Sequence, residues 1–207
     1  MLPARDKKMH IDVASQGFSV DEARQRILQR WTRLRWFKRS DPQIKYVFTF
    51  YYPYFFSEWK VIVPRYIFKD AKALIRVGVN GRTALAAQTE IWPENKRQQI
   101  DPAFVLPVKV TAEEVNEEQR RCLKNVVYRA MRPLQAPRYE LSREQVVYLP
   151  YYVFLANSKF KSKIVVLEAL TGTDGEVNTI PGLDPGWLEK KMEEFNVNLN
   201  GERRWQS

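Results

Sequence analysis

The chain reads as an α+β protein built twice, each half a helix against an antiparallel β-sheet, followed by a short C-terminal helix. Three observations carry that expectation. A Ser/Thr-x-x-Glu helix start occurs at Ser19–Glu22 and again at Thr111–Glu114. A Tyr-x-Pro-Tyr phrase embedded in strand-like sequence follows each helix, as Tyr51–Tyr54 and as Tyr148–Tyr151. Further β-branched segments and a glycine-containing turn then follow in the same order both times. The boundaries are a polar leader at 1–17, a first α+β half at 18–91, a linker at 92–109, a second half at 110–182 and a C-terminal helix and tail at 183–207.

The first helix opens with a capping box, in which the Ser19 hydroxyl satisfies a first-turn amide and the Glu22 carboxylate reaches back. Val20, Ala23, Ile27, Trp31 and Leu34 recur at helical spacing and form one apolar stripe. Asp41-Pro42 ends the helical stretch, because a residue before proline avoids the helical region. Strand-like "IKYVFTFYYPYFF", "EWKVIVPRYIF", "AKALIRVGV" and "RTALAAQ" come next. Lys69-Asp70 marks one turn, and Asn80-Gly81 predicts a tight hairpin with positive φ at both residues. Pro53 and Pro64 lack an amide donor and are expected at strand ends, edges or bulges.

"WPENKRQQIDPAFVLPVK", with three prolines and little periodicity, reads as the linker. The second helix then carries Val115, Cys122, Val126 and Ala130, with Leu123 and Val127 beside them, and Pro133 and Pro137 end it. "EQVVYLPYYVFLA" and "KIVVLEAL" read as strands, and "TGTDGEV" as a turn into a short one. In "LDPGWLEKKMEEF", Asp184 caps a helix with Pro185 at its first position and Leu188, Met192 and Phe195 on one face.

Leu167-Glu168-Ala169-Leu170-Thr171-Gly172, then Gly175-Glu176-Val177, set after the Tyr148 to Leu155 strand, resembles the PepSY-type domain with its cystatin-like shape. The resemblance implies a duplicated cystatin-like fold and a non-catalytic module that binds or restrains another protein. Thr173-Asp174-Gly175 interrupts the compact Thr-Gly-Glu-Val phrase of that family, and the first half's "VGVNGRTAL" lacks the acidic residue.

With 207 residues the chain buries roughly 70% of its unfolded surface, enough for a real core. Lys and Arg number 34 against 24 Asp and Glu, and the resulting charge of +10 favours anionic partners. A single cysteine, Cys122, excludes an internal disulfide, and no long uncharged apolar run is present. A cytoplasmic location is the expectation. The single histidine, His10, lies in the leader, so triad chemistry and a zinc site both lack their usual ligands. No glycine-rich phosphate loop occurs, and the Asp21-Glu22, Glu113-Glu114 and Glu193-Glu194 pairs read as helix-turn or solvated carboxylates. Neither a catalytic residue, a metal nor a cofactor is expected, and Cys122 reads as a small buried hydrophobe.

Two candidate surfaces remain. Arg24, Arg26, Arg30, Arg33 and Arg35, with Trp31, Trp36 and Phe37 nearby, could contact phosphates and bases across helix 19–37, or form an ordinary solvated face paired with acids. Tyr51, Tyr52, Tyr54, Phe56, Tyr148, Tyr151 and Tyr152 form an aromatic surface for a ligand, or the two faces of a covered strand. A non-enzymatic binding or assembly module acting through protein–protein contacts or self-association accounts best for both. A nucleic-acid-binding protein led by the basic helix is the first alternative, and a small-ligand enzyme on a cystatin-like cone the second.

Overall fold

The computed structural model describes residues 8–33, 43–65, 69–157 and 162–195. Three helices, α1 (Val20–Arg33), α2 (Ala112–Met131) and α3 (Pro185–Glu194), accompany eight strands. The strands are β1 (Met9–Ala14), β2 (Gln43–Val63), β3 (Ala71–Asn80), β4 (Ala86–Thr89), β5 (Asn95–Ile100), β6 (Arg138–Asn157), β7 (Ser162–Glu168) and β8 (Asp174–Gly175). They form one mostly antiparallel sheet ordered β4-β3-β2-β6-β1-β5, with β7 on β6 and β8 on β7. The α+β class is as the sequence predicts.

Both capping boxes form. Glu22 Oε2 accepts from the Ser19 amide at 2.7 Å while the Ser19 hydroxyl accepts from Glu22 N–H at 3.3 Å. Thr111 and Glu114 repeat the exchange at 2.7 and 3.2 Å. Asp184 caps α3 by accepting from Gly186 N–H at 3.0 Å, and Leu188 and Met192 are buried beneath it. The residues expected to end the first helix, 34–42, lie outside the described residues.

Four expectations change. The leader contains β1, whose Ile11, Val13 and Ala14 are buried, so residues 9–14 belong to the sheet. The expected linker contains β5, paired with β1 from Met9↔Ile100 to Ala14↔Asn95, and a 3-10 turn at Pro102–Phe104. "NKRQQI" hides this because five of its six side chains are polar and show no alternation; the pairing with β1 is made by the backbone. Asn80-Gly81 does not make the tight hairpin. Asn80 Oδ1 instead accepts from Arg82 N–H at 2.9 Å and Thr83 N–H at 3.2 Å, and Ala84 takes the left-handed conformation at φ 58°. Gly81 is glycine for room, since a Cβ there would stand 2.9 Å from the Pro53 carbonyl oxygen. Finally, α2 buries Val115, Gln119, Leu123 and Val127, while Cys122 and Val126 sit half-buried on its flank and Ala130 is exposed. A regular four-residue step sets this stripe, and it takes in a glutamine.

Pro53 and Pro150 both fall where a ladder ends. The β2–β3 pairing begins at Tyr54↔Asn80 and the β6–β7 pairing at Tyr151↔Glu168. Each proline follows the rule for missing donors, although both stand inside long strands. Pro64 comes just after β2 closes.

The chain forms two compact units, Met1–Ser15 with Tyr52–Tyr148, and Gln16–Tyr51 with Leu149–Ser207. They do not coincide with 18–91 and 110–182, because the long strands β2 and β6 each contribute to both units. In the first unit, α2 packs Val115, Leu123 and Val127 on Trp59, Val61 and Val63 of β2 and Ile75, Val77 and Val79 of β3. In the second, α1 packs Ala23 and Ile27 on Ile44 of β2, Tyr152, Phe154 and Ala156 of β6, and Val165 and Leu167 of β7. Each helix thus covers strands that come mainly from the opposite half of the sequence.

Several backbone bonds recur at matching places in the two units. Gly81 N–H donates to the Pro53 carbonyl at 2.9 Å, and Ala169 N–H to the Pro150 carbonyl at 2.9 Å. Asn80 N–H reaches Leu85 O at 2.9 Å, as Glu168 N–H reaches Thr173 O at 2.9 Å. Ala84 N–H donates to Asn80 O and Gly172 N–H to Glu168 O, and both donors have positive φ, 58° and 69°. Ahead of the helices, Lys109 and Val110 donate to Gly81 O, and Gly17 and Phe18 to Ala169 O.

Candidate interaction surface

The aromatic strands are mostly consumed by packing. Tyr52, Phe56, Tyr151 and Tyr152 are buried, and Tyr51, Tyr54 and Tyr148 are half-buried. In the second unit Phe50 stacks on Tyr151 with centroids 5.3 Å apart, Phe48 stacks on Phe195 at 5.3 Å, and Trp187 of α3 meets Phe48 and Phe50 edge-on. The Tyr152 hydroxyl donates to Phe18 O at 2.8 Å, tying β6 to the residue before the α1 cap. Tyr52 donates to Asn80 Oδ1 at 3.2 Å. Burial pushes the Tyr52 and Tyr152 hydroxyls up to about 12. These phenols are structural donors, and the proposed aromatic surface does not form as one exposed face.

The basic residues of α1 are likewise partly engaged. The Arg26 guanidinium lies 5.0 Å over the Phe18 ring, and Arg30 pairs with Asp174. Arg24 is exposed, Arg33 closes α1, and Arg35, Trp36 and Phe37 lie outside the described residues.

An arrangement absent from the sequence expectations occupies the first unit, on the sheet face opposite α2. Alternation places Val61 and Ile75 under the helix, so Tyr54, Phe56, Glu58, Lys60 and Ile62 of β2 face the other way. Tyr54, Phe56 and Trp92 form a row with centroid separations of 6.2 and 6.4 Å. Arg143 lies 3.7 Å over the Trp92 ring, close enough for a cation–π contact. Its Nε also meets Glu58 Oε1 at 3.2 Å, and Arg76 Nε donates to Glu58 Oε2 at 2.8 Å. Arg76 Nη1 continues to Glu90 O at 2.7 Å. The Arg76 bond first, and Arg143 with it, hold the Glu58 carboxyl below the usual range against the opposing effect of burial. Register then sets Lys60 across from Leu74 and Ile62 across from Lys72. These four residues and Glu140 line a depression of about 440 Å³, where Leu74 is 51% exposed.

Sequence reasoning missed this face because its members come from β2, β3, the segment after β4 and β6, and only the register assembles them. Tyr54 and Phe56 were among the expected aromatic residues, and Glu58, the single carboxylate of β2, is a further hint.

Elsewhere in the first unit, Cys122 lines a groove with Ala86 and Gln88, and burial, then Glu118, pushes its thiol up. In the second unit, burial raises the Glu168 carboxyl, although Thr171 Oγ1 and the Tyr151 hydroxyl donate to it at 3.2 and 3.3 Å. His10 is exposed on β1 opposite Gln99. Among the described residues no group of three or more His, Cys, Asp or Glu is placed to hold a metal, and no helix is long and apolar enough to cross a membrane. No family model, curated protein or solved structure matches the chain.

Proposed function

We propose that the chain is a non-enzymatic binding or assembly module acting through protein–protein contacts, and that its architecture is an internal duplication in which each helix covers strands mainly of the opposite half. The matched hydrogen bonds at Gly81 and Ala169, with left-handed Ala84 and Gly172, support the duplication. The PepSY-type resemblance of Leu167 to Val177 is a proposal of the same standing, and it agrees with a module that restrains another protein.

One observation carries the functional reading: Leu74 stands half exposed beside Ile62 on the sheet face away from α2, rimmed by Lys60 and Lys72. An apolar floor inside a charged rim has the anatomy of an interface. Two lysines against the single Glu140, on a chain of charge +10, fit a partner protein with an acidic rim. The adjoining Trp92–Arg143 stack adds residue types that dominate binding energies.

The test compares wild type with Leu74→Glu by cross-linked affinity capture from cells expressing the chain, with nuclease added. Discrete partners that resist nuclease and are lost by a variant of unchanged thermal midpoint support the reading. Recovery of the same partners with both proteins overturns it, and partners that vanish with nuclease favour the nucleic-acid reading.

A further inference from the structure

We propose that the groove between α2 and β4 is a strand-addition site for an extended acidic segment of another protein. The site is separate from the Leu74 face and goes beyond the function proposed above; only its comparison with the second unit rests on the internal duplication.

β4 ends the strand order and pairs through Val79↔Ala86 to Arg76↔Thr89 with β3, so among the described residues its outer edge carries backbone donors and acceptors with no strand beside them. Alongside runs a groove of about 600 Å³, with Ala86 and Gln88 on one wall and Cys122, Val126, Arg129 and Ala130 of α2 on the other. An extended segment adding to an edge strand takes its affinity from main-chain hydrogen bonds and its selectivity from alternate side chains. The four residues of β4 match a segment of about four or five residues at roughly 3.3 Å each.

The second unit shows why the groove is open. There Arg30 of α1 pairs with Asp174 of β8 and so bridges helix to edge strand. The 3-10 turn Val177–Thr179 also sets the Thr179 hydroxyl against Gly175 of β8. Aligned through the matched bonds, the counterparts of Arg30 and Asp174 are Cys122 and Ala86. Both are small and unable to form that ion pair, so the space the bridge fills in one unit is empty in the other.

Charge sets the occupant. Arg121 and Arg129 line the groove, and its one carboxylate, Glu118, is already engaged by Arg121 at 2.5 Å. The thiol of Cys122 is pushed up by burial and adds no competing anion. A ligand carboxylate beside Arg129, with small apolar side chains on Val126 and Ala130, satisfies the lining; a basic segment does not.

The probe is a capped, fluorescein-labelled octapeptide of repeated Val-Val-Glu-Glu, which sets both residue types on each face of an extended strand, with its Val-Val-Lys-Lys counterpart as control, followed by anisotropy and by amide chemical shifts. The expected result is binding of the acidic peptide with shifts concentrated in 86–89 and 118–130, and no comparable binding of the basic one. Cys122→Arg combined with Ala86→Asp, which rebuilds the bridge of the second unit, should weaken binding about tenfold or more while the thermal midpoint holds. The surface change Arg129→Glu should reverse the preference between the two peptides. No binding of the acidic peptide, equal binding of the basic one, shifts centred elsewhere, or undiminished binding by both variants overturns the proposal. None of these results bears on the Leu74 face, whose test is partner capture.

Discussion

Glu168 occupies the position that Asn80 holds in the first unit, opposite the tyrosine that follows the strand proline. An amide can be buried there without charge, whereas a carboxylate must lose hydration, and its proton is therefore held more tightly in the folded chain. With a folded value above the ordinary 4.5, its contribution to stability is fully present below that pH and is lost as pH rises through the folded value. Glu168→Gln is accordingly expected to raise the thermal midpoint at neutral pH. The advantage should shrink as pH falls through the folded value and level off below about 4.5, a trend that parallel thermal melts of the two proteins would check. Glu58 shows the opposite environment, since two guanidiniums compensate its burial and favour the charged form. Neither outcome is legible in the sequence. Both are acids in strand-like text, and what separates them is whether register brings an arginine or a threonine and a phenol to the carboxylate.

Caps and turns are where the sequence speaks most directly, because their chemistry is local. Ser19–Glu22 and Thr111–Glu114 form the reciprocal bonds their spacing predicts. Thr111→Ala should cost about 1 kcal/mol, measured by urea titration, since Glu114 N–H then loses its acceptor. Asn80-Gly81 misled for an equally physical reason: Asn80 accepts from Tyr52 and two turn amides, while Gly81 yields room to Pro53. The residue that takes positive φ is an alanine four positions after Asn80, and no propensity rule points to it. An L-residue in that conformation is strained by about 1 to 2 kcal/mol, and the second unit uses Gly172 at the matching place. Ala84→Gly is therefore expected to stabilise the protein by up to about 1 kcal/mol, in spite of the usual entropic cost of glycine, again by urea titration. β5 was illegible because its side chains carry no pattern. It is committed by backbone pairing with β1 and by the Asn95 amide donating to Gln145 Oε1 at 3.0 Å, both of which only the folded register brings about.

For the molecule, the α+β class and the three helices could be read from periodicity and caps, but β1, β5 and the continuity of β2 through Glu58 could not, nor could the partnership of helix with sheet. Apolar stripes on α1 and α2 state that each must cover something; they do not name which strands. The answer, α2 on Trp59 to Val79 and α1 on Tyr152 to Leu167, crosses the boundary between the sequence halves. A fragment ending at residue 109 should consequently lack native near-ultraviolet dichroism and bind a hydrophobic dye, because Val61, Val63, Ile75 and Val77 lose the helix that buries them. Native-like dichroism from that fragment would contradict the exchange. The arrangement also bears on biosynthesis. As the chain leaves the ribosome, β2 and β3 emerge well before Leu123 and Val127 exist to cap them, so an aggregation-prone interval is written into the order of synthesis. Nascent chains stalled between β4 and α2 should recruit holding chaperones, and release of those chaperones should coincide with emergence of the second helix.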